Sequence, residues 1–166
     1  MLGAKVGLHT GWARGAGAIG AAGNDALGFS VNAPATESTL AQAVAENEYL
    51  TLTVQAAPGR VLNLRSRELR FTIDRQDFHA PRRYAVFTSV GGFTPGQEIL
   101  LSGYNRDLSQ PREYVVRFPN GTAYDGLTAP LQIRIYGFAA QFGGHRARLM
   151  AFKLSEDAPI ATAAPR

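Results

Sequence analysis

Hydrophobic and polar residues alternate with a period of two along most of the chain. From Tyr49 to Gln55, Leu50, Leu52 and Val54 interleave with Thr51 and Thr53. From Glu68 to Asp74, Leu69, Phe71 and Ile73 interleave with Arg70 and Thr72, and Leu131, Ile133 and Ile135 interleave with Gln132 and Arg134. On a pleated strand successive side chains point to opposite faces, so each run predicts a half-buried antiparallel strand. The nine apolar residues are the predicted core. Further strand-like runs are Leu27 to Val31, Val61 to Leu64, Arg83 to Val90, Glu98 to Tyr104, Glu113 to Phe118 and Ala147 to Leu154.

Turn signals separate these runs: Pro58-Gly59, Pro81, Pro95-Gly96, Pro119-Asn120-Gly121, Pro130 and Gly143-Gly144. One segment, residues 37–47, has helical spacing, with Thr36 or Ser38 as its expected cap. About nine short strands and one short helix predict an all-β antiparallel two-sheet β-sandwich, a jelly roll. The domain is expected over residues 29–155. Residues 1–28 read as a Gly/Ala-rich, loop-rich lead-in that joins the sandwich, and residues 156–166 as an Ala/Pro-rich tail or linker.

Charge adds a local feature. Of 17 basic residues, 15 are arginine, and the segment from Arg60 to Arg83 holds seven of them against Glu68, Asp74 and Asp77. The formal net charge of +4 therefore lies in that segment, which predicts one arginine-rich face. Arg70, Asp74 and Arg134 are expected to share a polar stripe on one sheet. The absence of cysteine excludes disulfides and thiolate chemistry. No apolar stretch is long enough to span a membrane, and residues 1–12 lack the apolar region of a signal peptide. A net +4 without a recognition motif argues against nucleic acid.

The chain has none of the local motifs of hydrolases, nucleotide-binding loops or zinc peptidases. His9, His79 and His145 lie in three separate segments. No catalytic residue and no cofactor is assigned. Asn24-Asp25, or Asp74 with Asp77, offer oxygen ligands for a structural calcium ion, against the plainer readings of a turn and of charge pairing with arginine. Aromatic residues beside polar ones are more informative. A ring stacks on the flat C–H face of a sugar, and neighbouring amides, carboxylates and guanidiniums read its hydroxyls. Tyr104, Asn105, Arg106 and Asp107 form one such group, Tyr124 with Asp125 another, and Trp12 lies in the Gly-rich lead-in. These seven are the candidate ligand-binding residues. The segment 140–146 adds Phe142, His145 and Arg146.

The segments ENEYLTLTVQAAPGRVLNLRSRELRFTID, RQDFHAPRRYAVFTSVGGF and LTAPLQIRIYGFAAQFGG, with the opening GWARGAGAIGAAGNDALGFS, carry a family resemblance. They resemble exported bacterial β-sandwich proteins of planctomycetes, verrucomicrobia and cyanobacteria that often end in a PEP-CTERM sorting tail. The likeness runs from about Val6 to Leu154 and is most specific in RIYGF and YAVFTSVGGF. It implies a galactose-binding-like jelly roll at the cell surface or outside the cell. Two departures matter: the last strand reads RLMAFKL without the family's Asp-Asn pair, and APIATAAPR stands where a linker to the sorting tail would lie.

Two functions fit these features. One is a non-catalytic extracellular binding module for a polysaccharide or other extracellular glycan. The other is a structural, self-assembling surface, matrix, filament or coat protein that adds a strand to its neighbour.

Overall fold

A computed structural model describes residues 11–14, 19–20, 28–30, 37–56, 58–142 and 145–154. Among the described residues, ten strands form two antiparallel sheets. The front sheet has the order β1 (Gly11–Arg14), β4 (Tyr49–Val54), β9 (Leu131–Phe138), β6 (Arg83–Thr88) and β7 (Leu100–Leu101). The back sheet runs β2 (Ile19–Gly20), β3 (Gly28–Ser30), β10 (Arg146–Leu154), β5 (Glu68–Arg75) and β8 (Arg112–Arg117). From β3 to β10 the chain changes sheet at each connection except the β6–β7 hairpin, which is the winding of a jelly roll.

The alternation places the core as the sequence predicts. Leu50, Leu52 and Val54 stand opposite Ile135, Ile133 and Leu131. Across the sandwich, Leu69, Phe71 and Ile73 complete the same cluster, and all nine residues are fully buried. Phe71 stacks on Tyr114 of β8 with ring centroids 5.2 Å apart. An extra residue, Met150, interrupts the β5–β10 ladder between Leu149 and Ala151 and faces solvent, as a bulge does.

β6 is buried on both faces. Tyr84 and Val86 enter the main core, whereas Ala85 and Phe87 join Tyr136, Phe138 and Ala43 in a second cluster under α1 (Leu40–Ala45). The cap of α1 is Thr39, not Thr36 or Ser38. Thr39 Oγ1 accepts from the Gln42 amide at 3.2 Å, and Gln42 Oε1 accepts from the Thr39 amide at 2.9 Å. This reciprocal box needs Glu or Gln three residues after the cap, which Thr39 has and Ser38 lacks. Ser38 instead ties α1 to the end of β9, its hydroxyl accepting from the Ala140 amide at 3.0 Å. Thr39→Ala is expected to cost about 0.5–2 kcal/mol by thermal unfolding.

Several expectations change. The lead-in contributes β1, paired with β4, and β2, paired with β3, so part of it is ladder rather than loop. Residues 61–64 form no strand: Leu62 and Leu64 are buried, but the segment makes a lone bridge between Leu62 and Leu127. The run from Glu98 to Tyr104 is reduced to the two residues of β7. Arg70 and Asp74 lie on β5 of the back sheet and Arg134 on β9 of the front sheet, so they share no stripe.

The arginines between Arg60 and Arg83 likewise make no single basic face. Arg70 pairs with Glu68 and Glu113, both at 2.9 Å, Arg65 with Asp125 at 3.7 Å, and Arg82 with Glu37 at 3.0 Å. Arg75 is buried. The bonds from Arg70 and Arg117 hold the Glu68 carboxyl below its ordinary pKa.

Candidate functional site

Four segments converge at one end of the sandwich: Glu37–Thr39 before α1, Asp77–Arg83 entering β6, Tyr104–Asp107 after β7, and Phe138–Phe142 leaving β9. Arg83 pairs with Phe138 at this end of the β6–β9 ladder. The Asn105 amide donates to the Arg82 carbonyl at 2.7 Å, and the Gln141 amide donates to the His79 carbonyl at 3.2 Å.

Tyr104 is 44% exposed here. Its hydroxyl donates to the Glu37 carboxylate, which also receives Arg82 Nη2 at 3.0 Å. The bond to Glu37 raises the Tyr104 pKa above that of an ordinary phenol. The guanidinium carbons of Arg83, Arg82 and Arg106 lie 5.2, 5.8 and 5.9 Å from the ring centroid. Arg83 is also 5.0 Å from the Phe138 ring, and its Nε donates to the Ser102 carbonyl at 3.0 Å. The ring borders an open cleft of about 430 Å³ whose walls include Glu37, Leu40, Arg83, Leu101 and Phe138. The cleft thus offers an aromatic face, aliphatic carbon, a carboxylate and a guanidinium, with Tyr104, Glu37 and Arg83 each held by a hydrogen bond.

Asn105 and Asp107 play different parts from Tyr104. Asn105 is only 2% exposed. Its carbonyl accepts from Arg75 Nη1 at 2.7 Å, and its Oδ1 accepts from the Asp107 amide at 3.2 Å, so it anchors the segment. Asp107 Oδ1 accepts from the Ser109 amide at 2.7 Å, and its bonds to Ser109 lower its pKa. Asp107 lines a second, polar hollow of about 450 Å³ with Gln110, Arg112 and Glu113.

Tyr124 and Asp125 do not join this group. Tyr124 ends a 3-10 turn, Thr122–Tyr124, and is 3% exposed, with its hydroxyl 2.7 Å from Thr88 Oγ1. Thr88 ends β6, so this turn lies a strand's length from Arg83 and Tyr104. Tyr124 is therefore a core residue with no open ring face, which corrects its candidacy as a stacking platform. Asp125 faces Arg65. Trp12 is paired in register with Leu52, and its side chain lies outside the described residues.

The fold also assembles a group that the sequence left scattered. Asp77 receives the His79 amide at 2.7 Å on Oδ1 and is bonded through Oδ2 to His145 Nδ1. Burial raises the Asp77 pKa, but these bonds outweigh it and the net shift is downward. The rings of His79 and His145 are 4.9 Å apart. Asp77 and His79 are only two residues apart in the sequence, a spacing that could have flagged them; that His145 joins them follows only from the β5–β10 pairing. Among the described residues no hydroxyl is hydrogen-bonded to either imidazole, and no three His, Asp or Glu side chains converge as a metal site. Asn24-Asp25 and His9 lie outside the described residues. No described helix is long and apolar enough to cross a membrane. β8, an edge of the back sheet among the described residues, carries Arg112, Glu113 and Arg117, charges of the kind that guard an edge against strand addition.

No family model and no curated protein matches the chain. Among solved structures, the chain aligns with a family 35 carbohydrate binding module from an environmental isolate. That alignment covers 94% of this chain and 96% of that chain, at 10% identity and a TM-score of 0.38.

Proposed function

We propose that this protein is a non-catalytic, extracellular carbohydrate-binding module that takes an anionic polysaccharide in the Tyr104 cleft. The observation that carries the reading is the Tyr104 ring, 44% exposed, fixed at its hydroxyl by Glu37 and surrounded by Arg82, Arg83 and Arg106. A pre-placed ring loses little side-chain entropy on stacking. Arg83 and Arg106 supply positive charge beside it, with no carboxylate partner for either among the described ion pairs. These groups match a ligand with flat C–H faces, hydroxyls and negative charge. The exported setting rests on the sequence resemblance.

Affinity gel electrophoresis against neutral and acidic polysaccharides tests the reading. Retention by an acidic polymer is expected, and Tyr104→Ala should weaken it roughly 5- to 150-fold, on the scale of one lost aromatic stacking contact. The melting temperature should stay nearly unchanged, because the ring is half open to water. Binding should also weaken as salt shortens the Debye length from about 10 Å at 0.1 M to about 3 Å at 1 M. No retention by any polymer overturns the proposal. Salt-independent binding removes the anionic part of it.

A further inference from the structure

We infer that Phe78 and Phe142 form a second aromatic platform, so that the protein binds along a glycan chain rather than one terminal sugar. This rests on the Tyr104 reading above and extends it. Phe78, on the β5–β6 loop, is 56% exposed, and Phe142, after β9, is 50% exposed. A single exposed phenylalanine needs no explanation. These two come from separate loops and are braced by the same side chain. Each stands edge-on to His79, at 5.5 Å and 89° for Phe78 and at 5.2 Å and 78° for Phe142. His79 is in turn held by the bond from its amide to Asp77 and by the His145 ring.

The backbone is committed to this arrangement as well. Phe142 has φ +65°, a left-handed conformation costly for a bulky residue, and such strain persists where the surroundings enforce it. Phe78 is fixed through its carbonyl, which accepts from Arg75 Nη2 at 2.7 Å.

Two connections place this platform beside the Tyr104 cleft. Arg75 holds the Phe78 carbonyl on one nitrogen and the Asn105 carbonyl on the other, each at 2.7 Å, and Asn105 follows Tyr104. Glu37, which receives the Tyr104 hydroxyl, precedes Ser38, which exchanges backbone bonds with Ala139 and Ala140 at 2.9 Å. A flexible polymer that stacks on Tyr104 therefore has two more rings within reach. The His79 ring stands against both of them. Engaging the second platform becomes an intramolecular event with a high effective concentration.

Isothermal titration calorimetry with di-, tetra- and octasaccharides of alginate, polygalacturonate and chondroitin sulfate tests the inference. The octasaccharide of the retained polymer is expected to bind more tightly than its disaccharide. Phe78→Ala and Phe142→Ala should each remove most of that gain, roughly 5- to 150-fold, and leave the disaccharide affinity unchanged. Both variants should keep the wild-type melting profile. Binding that requires Tyr104 but is the same for all lengths overturns the second platform alone, as does an octasaccharide affinity untouched by both substitutions. Failure of every polymer to bind overturns the glycan reading first, and the platform with it.

Discussion

Replacing Arg75 with alanine is expected to destabilise the protein by about 3–5 kcal/mol, a large part of the total stability of a typical domain. Arg75 ends β5 and is 3% exposed. Burial lowers the pKa of its guanidinium, yet among the described residues no carboxylate is bonded to it. Its close partners are three backbone carbonyls, Asn105 at 2.7 Å, Phe78 at 2.7 Å and Ala80 at 3.2 Å, with a longer contact to the Asp77 carbonyl at 3.5 Å. Loop segments inside a protein must satisfy such groups, and here one planar fork satisfies three. Alanine would leave three carbonyls without their donor, each costing about 1–3 kcal/mol where water cannot reach it. Arg75→Lys should recover little of this, because a single ammonium cannot reproduce the spread of a guanidinium. Urea unfolding is the measurement, with a lowered midpoint at unchanged slope as the expected result. A cost under about 1 kcal/mol would mean that water replaces the fork at those carbonyls.

Arg75 also shows where reading the sequence stops. Among the seven arginines from Arg60 to Arg83 it looks like one more surface charge, and charge alone does not separate it from Arg70, which lies five residues earlier on the same strand. What differs is the face. β5 buries every second residue, and the inward series Leu69, Phe71, Ile73 ends on Arg75. The period that located the core thus also pointed to the buried arginine. The run from Arg83 to Val90 read only as a strand; its burial on both faces from Tyr84 to Phe87 fits the lack of alternation there.

Other features had no local signature. Tyr104 and Tyr124 each precede an Asn or Asp, yet one borders a cleft and the other lies beneath Thr88, because the 3-10 turn carries Tyr124 inward. His79 and His145 meet only through the register of β5 and β10, which no spacing along the chain encodes.

Ile133→Ala is expected to cost about 2–5 kcal/mol, the range for truncating a large buried aliphatic side chain. Ile133 sits in the middle of β9, opposite Leu52 on β4 and Thr88 on β6, and is fully buried. Alanine would lose the transfer free energy of three carbon atoms. It would also leave a void that two flanking ladders keep from collapsing, which argues for the upper half of the range. The neighbouring Gln132 supplies the control. It lies on the opposite, solvent-facing side of the same strand, so Gln132→Ala should change stability by no more than about 0.5 kcal/mol. The pair of variants tests the register as well as the packing. A one-residue slip of β9 would exchange the two faces, placing Gln132 inside and Ile133 outside. Chemical unfolding of both variants therefore separates the outcomes: a large loss at Ile133 with none at Gln132 fits the ladders described, and the reverse order would require a different sandwich.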